Sequence, residues 1–301
     1  MTSRTSRCRR PLLRRLELPV DFDDFPLSPN RSVKNDSYLD AYIEAQRTMQ
    51  ASLNHRIAGM SRDLLALTNQ LYAKSQNGNA LLRANKSARS EGVSIWLSKL
   101  SRIAHWAVIS GISKPFLGTN ADFIKSIPRT SLSMDGIRSL ERKLLDQGII
   151  LIHLSAAAGT KVDGCVMKLE TGHMVIGMSL RYSRLDYYYF TLMHEMGHIS
   201  LHANELDSPI VDDFDEPEEE HGDVIEMEAN RFARDALIPR NEWRTAEVRR
   251  SLKIDDLMKF AQTIGVAPQI VAGRIRNEQK RHDLFGKIVH EVNIREIVGD
   301  A

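Results

Sequence analysis

The chain has 301 residues, 42% of them apolar and 27% charged, with a formal net charge of +2 at pH 7. That composition belongs to a folded globular protein with room for one large or two modest domains. No run of 18 or more apolar residues occurs, which argues against a membrane-spanning helix. Two cysteines far apart, Cys8 and Cys165, argue against a disulfide framework and for a reducing cytoplasm.

The first fifteen residues hold Arg4, Arg7, Arg9, Arg10, Arg14 and Arg15 and no acid, and read as a disordered basic tail. Residues 16–36, rich in Pro, Asp and Asn, extend it as an irregular linker. A helical region is expected over 37–90. Within it Leu53, Ile57, Met60, Leu64, Leu67 and Leu71 alternate spacings of four and three, the seam of a coiled coil or helical hairpin. Self-association through 49–71 is the expected use of that seam. Gln76-Asn77-Gly78-Asn79 then breaks the helix with turn chemistry.

A second amphipathic helix is expected over 93–109, with Ile95, Trp96, Leu97, Leu100, Ile103 and Trp106 inward, closed by Gly111 and Pro115. A third spans Met134–Gln147, with Ile137, Leu140, Leu144 and Leu145 buried and Gly148 as its stop. The period then changes. Ile149–Leu154, Asp163–Leu169 and His173–Leu180 read as three short strands of a small antiparallel sheet, the last two joined at Glu170-Thr171-Gly172. An exposed strand edge there would be a template for an extended peptide.

The third strand leads into Tyr187-Tyr188-Tyr189-Phe190-Thr191-Leu192-Met193-His194-Glu195-Met196-Gly197-His198. His-Glu-x-x-His on a helix places His194 and His198 on one face, where two imidazoles can reach one metal ion. Zinc is the usual guest, and Glu195 beside it has the place of a general base. Gly197 costs roughly 1 kcal/mol of helix propensity relative to alanine, so something is expected to pack closely against it.

A catalytic zinc site needs three protein ligands and one open corner for water. His202 lies on the same ridge as His194, but the two are about 12 Å apart along the axis at 1.5 Å rise per residue and cannot converge. The glycine that bends the chain in His-Glu-x-x-His-x-x-Gly-x-x-His is Leu201 here. An acidic block follows: Asp207, Asp212, Asp213, Asp215, Glu216, Glu218, Glu219, Glu220 and Asp223. It reads as a solvated loop, able at most to rim the cleft and steer a basic partner. The next helix, Asp223–Leu237, has Ile225, Ala229, Phe232, Ala233 and Ala236 on its apolar face. Glu226 and Glu228 point 200° apart at 100° per residue, so only one can address the metal, and geometry favours Glu226 over Glu228. Asn230, one turn on, is placed to orient a ligand by hydrogen bonding. Oxyanion help is expected from His202, Arg181 or a tyrosine of 187–189.

His-Glu-Met-Gly-His-Ile-Ser-Leu-His, followed by Glu226-x-x-Ala229-Asn230-x-Phe232-Ala233 and Ile238-Pro239, resembles the ImmA/IrrE family of zinc metallo-endopeptidases. The lead-in Leu180-Arg181-Tyr182-x-Arg184-x-Asp186 is similar as well. The resemblance implies that His194, His198 and Glu226 bind Zn2+ and that Glu195 is the catalytic base. It implies a helix-turn-helix repressor of the Xre type as substrate, cleaved to relieve repression. Members are often fused to Xre or HigA-type regulators, but residues 1–90 lack a recognition helix.

The fold expected is α+β: a minimal zincin-like metallopeptidase domain over 91–245, with helices on either side of its sheet. A helix-turn-helix-like cap follows over 246–301. In that cap Asp255–Gly265 and Ile270–Ile275 have helix-turn-helix spacing, and Arg274, Arg276, Lys280 and Arg281 make the second helix basic. A packed three-helix cap on the peptidase is the expectation; DNA contact through 255–281 and capture of the repressor are the alternatives this spacing raises. Two other functions compete with the peptidase. One is an antitoxin or DNA-binding regulator that keeps the fold without turnover. The other is an adaptor working through the heptad helix.

Overall fold

The computed structural model describes residues 83–84, 91–109, 111–155, 160–206, 209–213 and 224–299. The basic tail, the heptad seam at 49–71 and most of the acidic block lie outside the described residues. Arg83–Ala84 (β1), Ile149–His153 (β2), Gly164–Lys168 (β3), Met174–Met178 (β4) and Ile210–Asp212 (β5) form one sheet in the order β1-β5-β3-β4-β2.

The sheet is mixed rather than antiparallel. β3 and β4 make the expected hairpin, and β3 also pairs antiparallel with β5, but β2 runs parallel to β4 and β1 parallel to β5. The hairpin leaves the outer edge of β4 open. β2 enters there in the direction set by the Gly148 turn, whose φ of +77° suits glycine. β5 has no counterpart in the sequence reading, which folded it into the acidic loop.

Alternation along the strands explains why β2 is a continuous aliphatic run. Ile149, Leu151, Val166 and Ile176 face one buried cluster; Ile150, Ile152, Cys165, Met167, Val175 and Val211 face the other. The second cluster is closed by the helix Glu91–Ile109 (α1), through Trp96, Leu97, Leu100 and Ile103. Trp96 Nε1 donates to the Leu154 carbonyl at 2.6 Å, which anchors α1 across the end of β2.

The first cluster is organised by the motif helix, Leu185–His202 (α5), which is buried on nearly every side. A helix this apolar all round has to be central. Before it come Ala121–Arg129 (α2), capped by the Asn120 side chain, and Met134–Arg138 (α3) with Leu140–Leu145 (α4). The single helix expected over Met134–Gln147 is thus broken at Ser139, whose hydroxyl donates back to the Gly136 carbonyl and competes with the helical ladder.

After β5, Val224–Leu237 (α6) lies against α5. A Cβ on Gly197 would stand 3.0 Å from Ala229 Cα, which is the close packing that its glycine implies. Arg240–Thr245 (α7) and Val248–Ser251 (α8) lead to Ile254–Ile264 (α9) and Pro268–Gln279 (α10). These last two are the expected helix pair, but α10 packs on α5 as part of the same core, with Val271, Ala272 and Ile275 fully buried. Arg276 is buried and donates to the Leu284 carbonyl; Arg274 donates to the carbonyls of Arg234 and Ile238 and stacks on Trp243. Both arginines work inside the fold rather than on an open basic face. Lys280 and Arg281 remain exposed, with Arg281 paired to Asp283.

Gly286–Val289 (α11) and Ile294–Val298 (α12) close the chain. Arg295 donates to the carbonyls of Leu180 and Arg181 at 2.8 Å, clamping the turn that launches α5. Among the described residues no helix is long and apolar enough to cross a membrane.

Candidate metal centre

His194 and His198 sit one turn apart on α5, fully buried, with their Nε2 atoms 2.9 Å apart. Asn230 Oδ1 on α6 lies 3.1 Å from His194 Nδ1. An acceptor there holds the proton on Nδ1 and turns the Nε2 lone pair toward the centre.

α6 also delivers Glu226, whose Oε2 is 3.2 Å from His194 Nε2 and 3.6 Å from His198 Nε2. Glu228, 200° round the helix, instead meets His202 Nε2 at 3.4 Å and is half exposed. The alternative third ligand therefore does not reach the histidine pair, and His202 is occupied away from it.

A fourth donor comes from β5. Asp212 is buried, and its Oδ2 stands 3.4 Å from His194 Nε2 and 3.9 Å from His198 Nε2. The four donor atoms lie within 4.8 Å of one another. Sequence reasoning missed Asp212 because it placed the residue in a run of solvated acids. The available signal was local: Ile210-Val211 is an aliphatic pair inside that run, and an acid at its end need not face water.

Glu195 is fully buried; no N–H or O–H donor of another described residue reaches its carboxylate oxygens, and its polar neighbour is the Asp212 carboxylate, close enough to share a proton. β3 crosses directly over it: a Cβ on Gly164 would lie 2.1 Å from Glu195 Oε1. Burial, and then the nearby carboxylates of Asp212, Glu226 and Asp163, push the Glu195 carboxyl well above its ordinary value. Burial would also raise Glu226, but the two imidazoles override it and hold that carboxyl below the usual range. On His194 burial pulls down, yet Asp212 and Glu226 push the imidazole up to about 9. The raised His194 and Glu195 values mark a centre that favours positive charge, and the lowered Glu226 value records its pairing with the imidazoles.

The donor set fits a metal ion. Tetrahedral coordination with bonds of about 2.0–2.2 Å requires donor–donor edges of roughly 3.3–3.6 Å. The edges given above, 2.9 to 3.9 Å, bracket that requirement. A proton linkage follows. Below pH 9 metal must displace the His194 proton, so calorimetry in buffers of differing ionisation enthalpy should show about one proton released from this group at pH 7. Affinity should rise about tenfold per pH unit across that range. The raised pKa has the opposite effect on the metal-free fold. Its stabilisation is complete below pH 6.5 and is lost as pH rises through about 9, so the melting temperature in chelator should fall there.

The remaining candidates are engaged elsewhere. Arg181 reaches Asp213 at 2.9 Å and Asp163 at 3.6 Å. The Tyr188 hydroxyl is 2.9 Å from His153 Nε2, that of Tyr189 is 2.7 Å from Thr130 Oγ1, and Tyr187 donates to Asp163. His153 also holds Glu141 at 3.0 Å, so Tyr188 belongs to a buried network that ties α4, β2 and α5 together. Arg181 and these tyrosines make their described contacts away from the four donors.

Residues 146–276 match the model of the Peptidase M78 family, described as an IrrE N-terminal-like domain. No curated protein matches the chain significantly. The matched region begins just before β2 and ends within α10, so it contains all four donors, Glu195 and Gly164. Residues 146–276 therefore form an IrrE N-terminal-like domain of the Peptidase M78 family, a family of metallopeptidase type.

Proposed function

We propose that this protein is a zinc-dependent endopeptidase and that its substrate is a helix-turn-helix repressor of the Xre type, cut to relieve repression. The observation that carries the reading is the buried Glu195 carboxyl, with no N–H or O–H donor of another described residue on it, beside four donors spaced for one ion. Zinc, when bound, supplies a Lewis acid for a peptide carbonyl and lowers the pKa of water.

The chain's own residues do the rest. His194, His198 and Glu226 hold the ion, and Asn230 fixes the His194 tautomer. Glu195 accepts a proton at a carboxylate oxygen and returns it to the departing amine. Its raised proton affinity favours keeping that proton until the amine departs. Burial of the pair and of Glu195 keeps bulk water away, so charges in the site act at short range with little screening. A protein that only bound DNA or another protein would have no use for a buried carboxyl crowded against other carboxylates at this point.

The test is incubation of the full chain with the repressor encoded nearest its gene, with zinc and with a chelator. Discrete repressor fragments by mass spectrometry with zinc, absent with chelator and restored by added zinc, are expected. An intact repressor under all three conditions, with zinc bound stoichiometrically, would reject that substrate. The same result with a library of unstructured peptides would reject the peptidase.

A further inference from the structure

We infer that Asp212 is a fourth metal ligand, so that the centre shown here is a closed, latent form of the proposed peptidase. The inference rests on the reading of the site as a metal centre and goes beyond it.

Three observations converge on Asp212. Its side chain is more than nine-tenths buried, and it is buried beside two other carboxyl groups, Glu195 and Glu226. Carboxylates crowded together away from water are costly, and that cost is removed by a cation. Second, Oδ2 faces both ring nitrogens at 3.4 and 3.9 Å, distances comparable to those of Glu226. Asp212 therefore stands at a vertex of the same tetrahedron, not behind it. Third, its position is set by the sheet. Asp212 pairs with Gly164 across β3, and β5 is held on its other side by β1, so the carboxylate is delivered by backbone pairing on both edges.

Structural zinc sites fill all four corners with protein ligands, while catalytic ones keep a corner for water or substrate. With Asp212 in place this centre has the first character. The corner opens only if Asp212 withdraws. β5 can do that without disturbing α5 or α6, which carry the other three ligands. Asp213, the next residue, is tied to Arg181 at 2.9 Å, and Arg181 belongs to the turn clamped by Arg295. Release of that tie is the step that would free Asp212. The device makes the resting protein metal-loaded and water-excluding, and docking of a peptide substrate is what releases the tie and opens the corner, so the zinc-loaded chain still cleaves when substrate is present.

Cobalt(II) tests this directly, because its visible spectrum reports coordination without any need for turnover. The full chain, Asp212→Asn and Asp212→Ala are loaded with cobalt and titrated with azide, and affinities are measured by competition with a chelating dye. The wild type is expected to show a four-coordinate spectrum that azide does not change. Asp212→Ala should show an altered spectrum that azide shifts, and both variants should bind cobalt about 10- to 100-fold more weakly. The wild-type azide titration stands by itself if the variants do not fold. A wild-type spectrum that azide perturbs, or variants with wild-type spectrum and affinity, would overturn the inference and leave the metal centre intact. If the wild type takes up no cobalt, and His194→Ala changes nothing, the metal centre itself is wrong and both readings fall.

Discussion

Glu195→Gln is expected to lower peptide cleavage about 10²- to 10⁴-fold while the bound metal stays in place. The substitution preserves volume in a site where nothing can move aside, since Glu195 is fully buried under β3. It removes only the ability to take and return a proton. No donor of another described residue bonds either oxygen, and the contact with Asp212 can be kept by the amide N–H2, so no structural bond is lost with the charge. The loss should fall on kcat with little change in KM, because the group acts on the proton rather than on substrate binding. Zinc content measured beside the rate decides the matter. A variant with full zinc and wild-type kcat would move the proton transfer to another residue.

Gly164→Ala should come close to the same loss through a residue that touches neither substrate nor metal. The added methyl would sit 2.1 Å from Glu195 Oε1 and 2.9 Å from Thr191 Cγ2. Glu195 cannot swing into solvent, so either the carboxylate or β3 must shift. A misplacement of about 1 Å in a catalytic group costs roughly 10²-fold in rate, and overpacking of a filled interior costs about 1–3 kcal/mol. β3 also pairs with β5, so displacing it should disturb Asp212 while leaving His194, His198 and Glu226 on their helices. The expected result is a folded, metal-binding protein with a lowered melting temperature and about a hundredfold loss in kcat. Wild-type stability and activity together would show that β3 does not lie over Glu195.

Both variants depend on structure at different depths. Glu195 is visible in the sequence because His-Glu-x-x-His repeats at the helical interval, and a single helix converts that interval into a shared face. Glu226 was preferred over Glu228 for the same reason: 200° of rotation along one helix separates them, and only the Glu226 oxygen meets the histidine nitrogens. Gly197 announced its close neighbour, and the β3–β4 hairpin announced its turn. Gly164 gave no such sign, because the atom it makes room for is thirty-one residues away on another element.

The misreadings have a common cause. Asp212 looked like one more solvated acid, and β5 looked like loop, until pairing with β3 buried both. The basic positions of α10 left its use open, and the structure packs Val271, Ala272 and Ile275 into the core against α5 and engages Arg274 and Arg276 within the fold, as a packed cap requires. β2 read as a partner in an antiparallel sheet, and its parallel place beside β4 was decided by which edge was free.

For this protein, then, the sequence alone determined the motif helix, the two imidazoles that share one of its faces, the carboxyl group between them and the better placed of two glutamates. Those follow from angles repeated within one helix, which a string of residues records directly. The tertiary structure decided that Asp212 joins them, that Gly164 roofs Glu195 and that α10 is core. Those depend on pairings between segments distant in the chain, where burial and the closing of hydrogen bonds across a sheet set the outcome and no local period reports it.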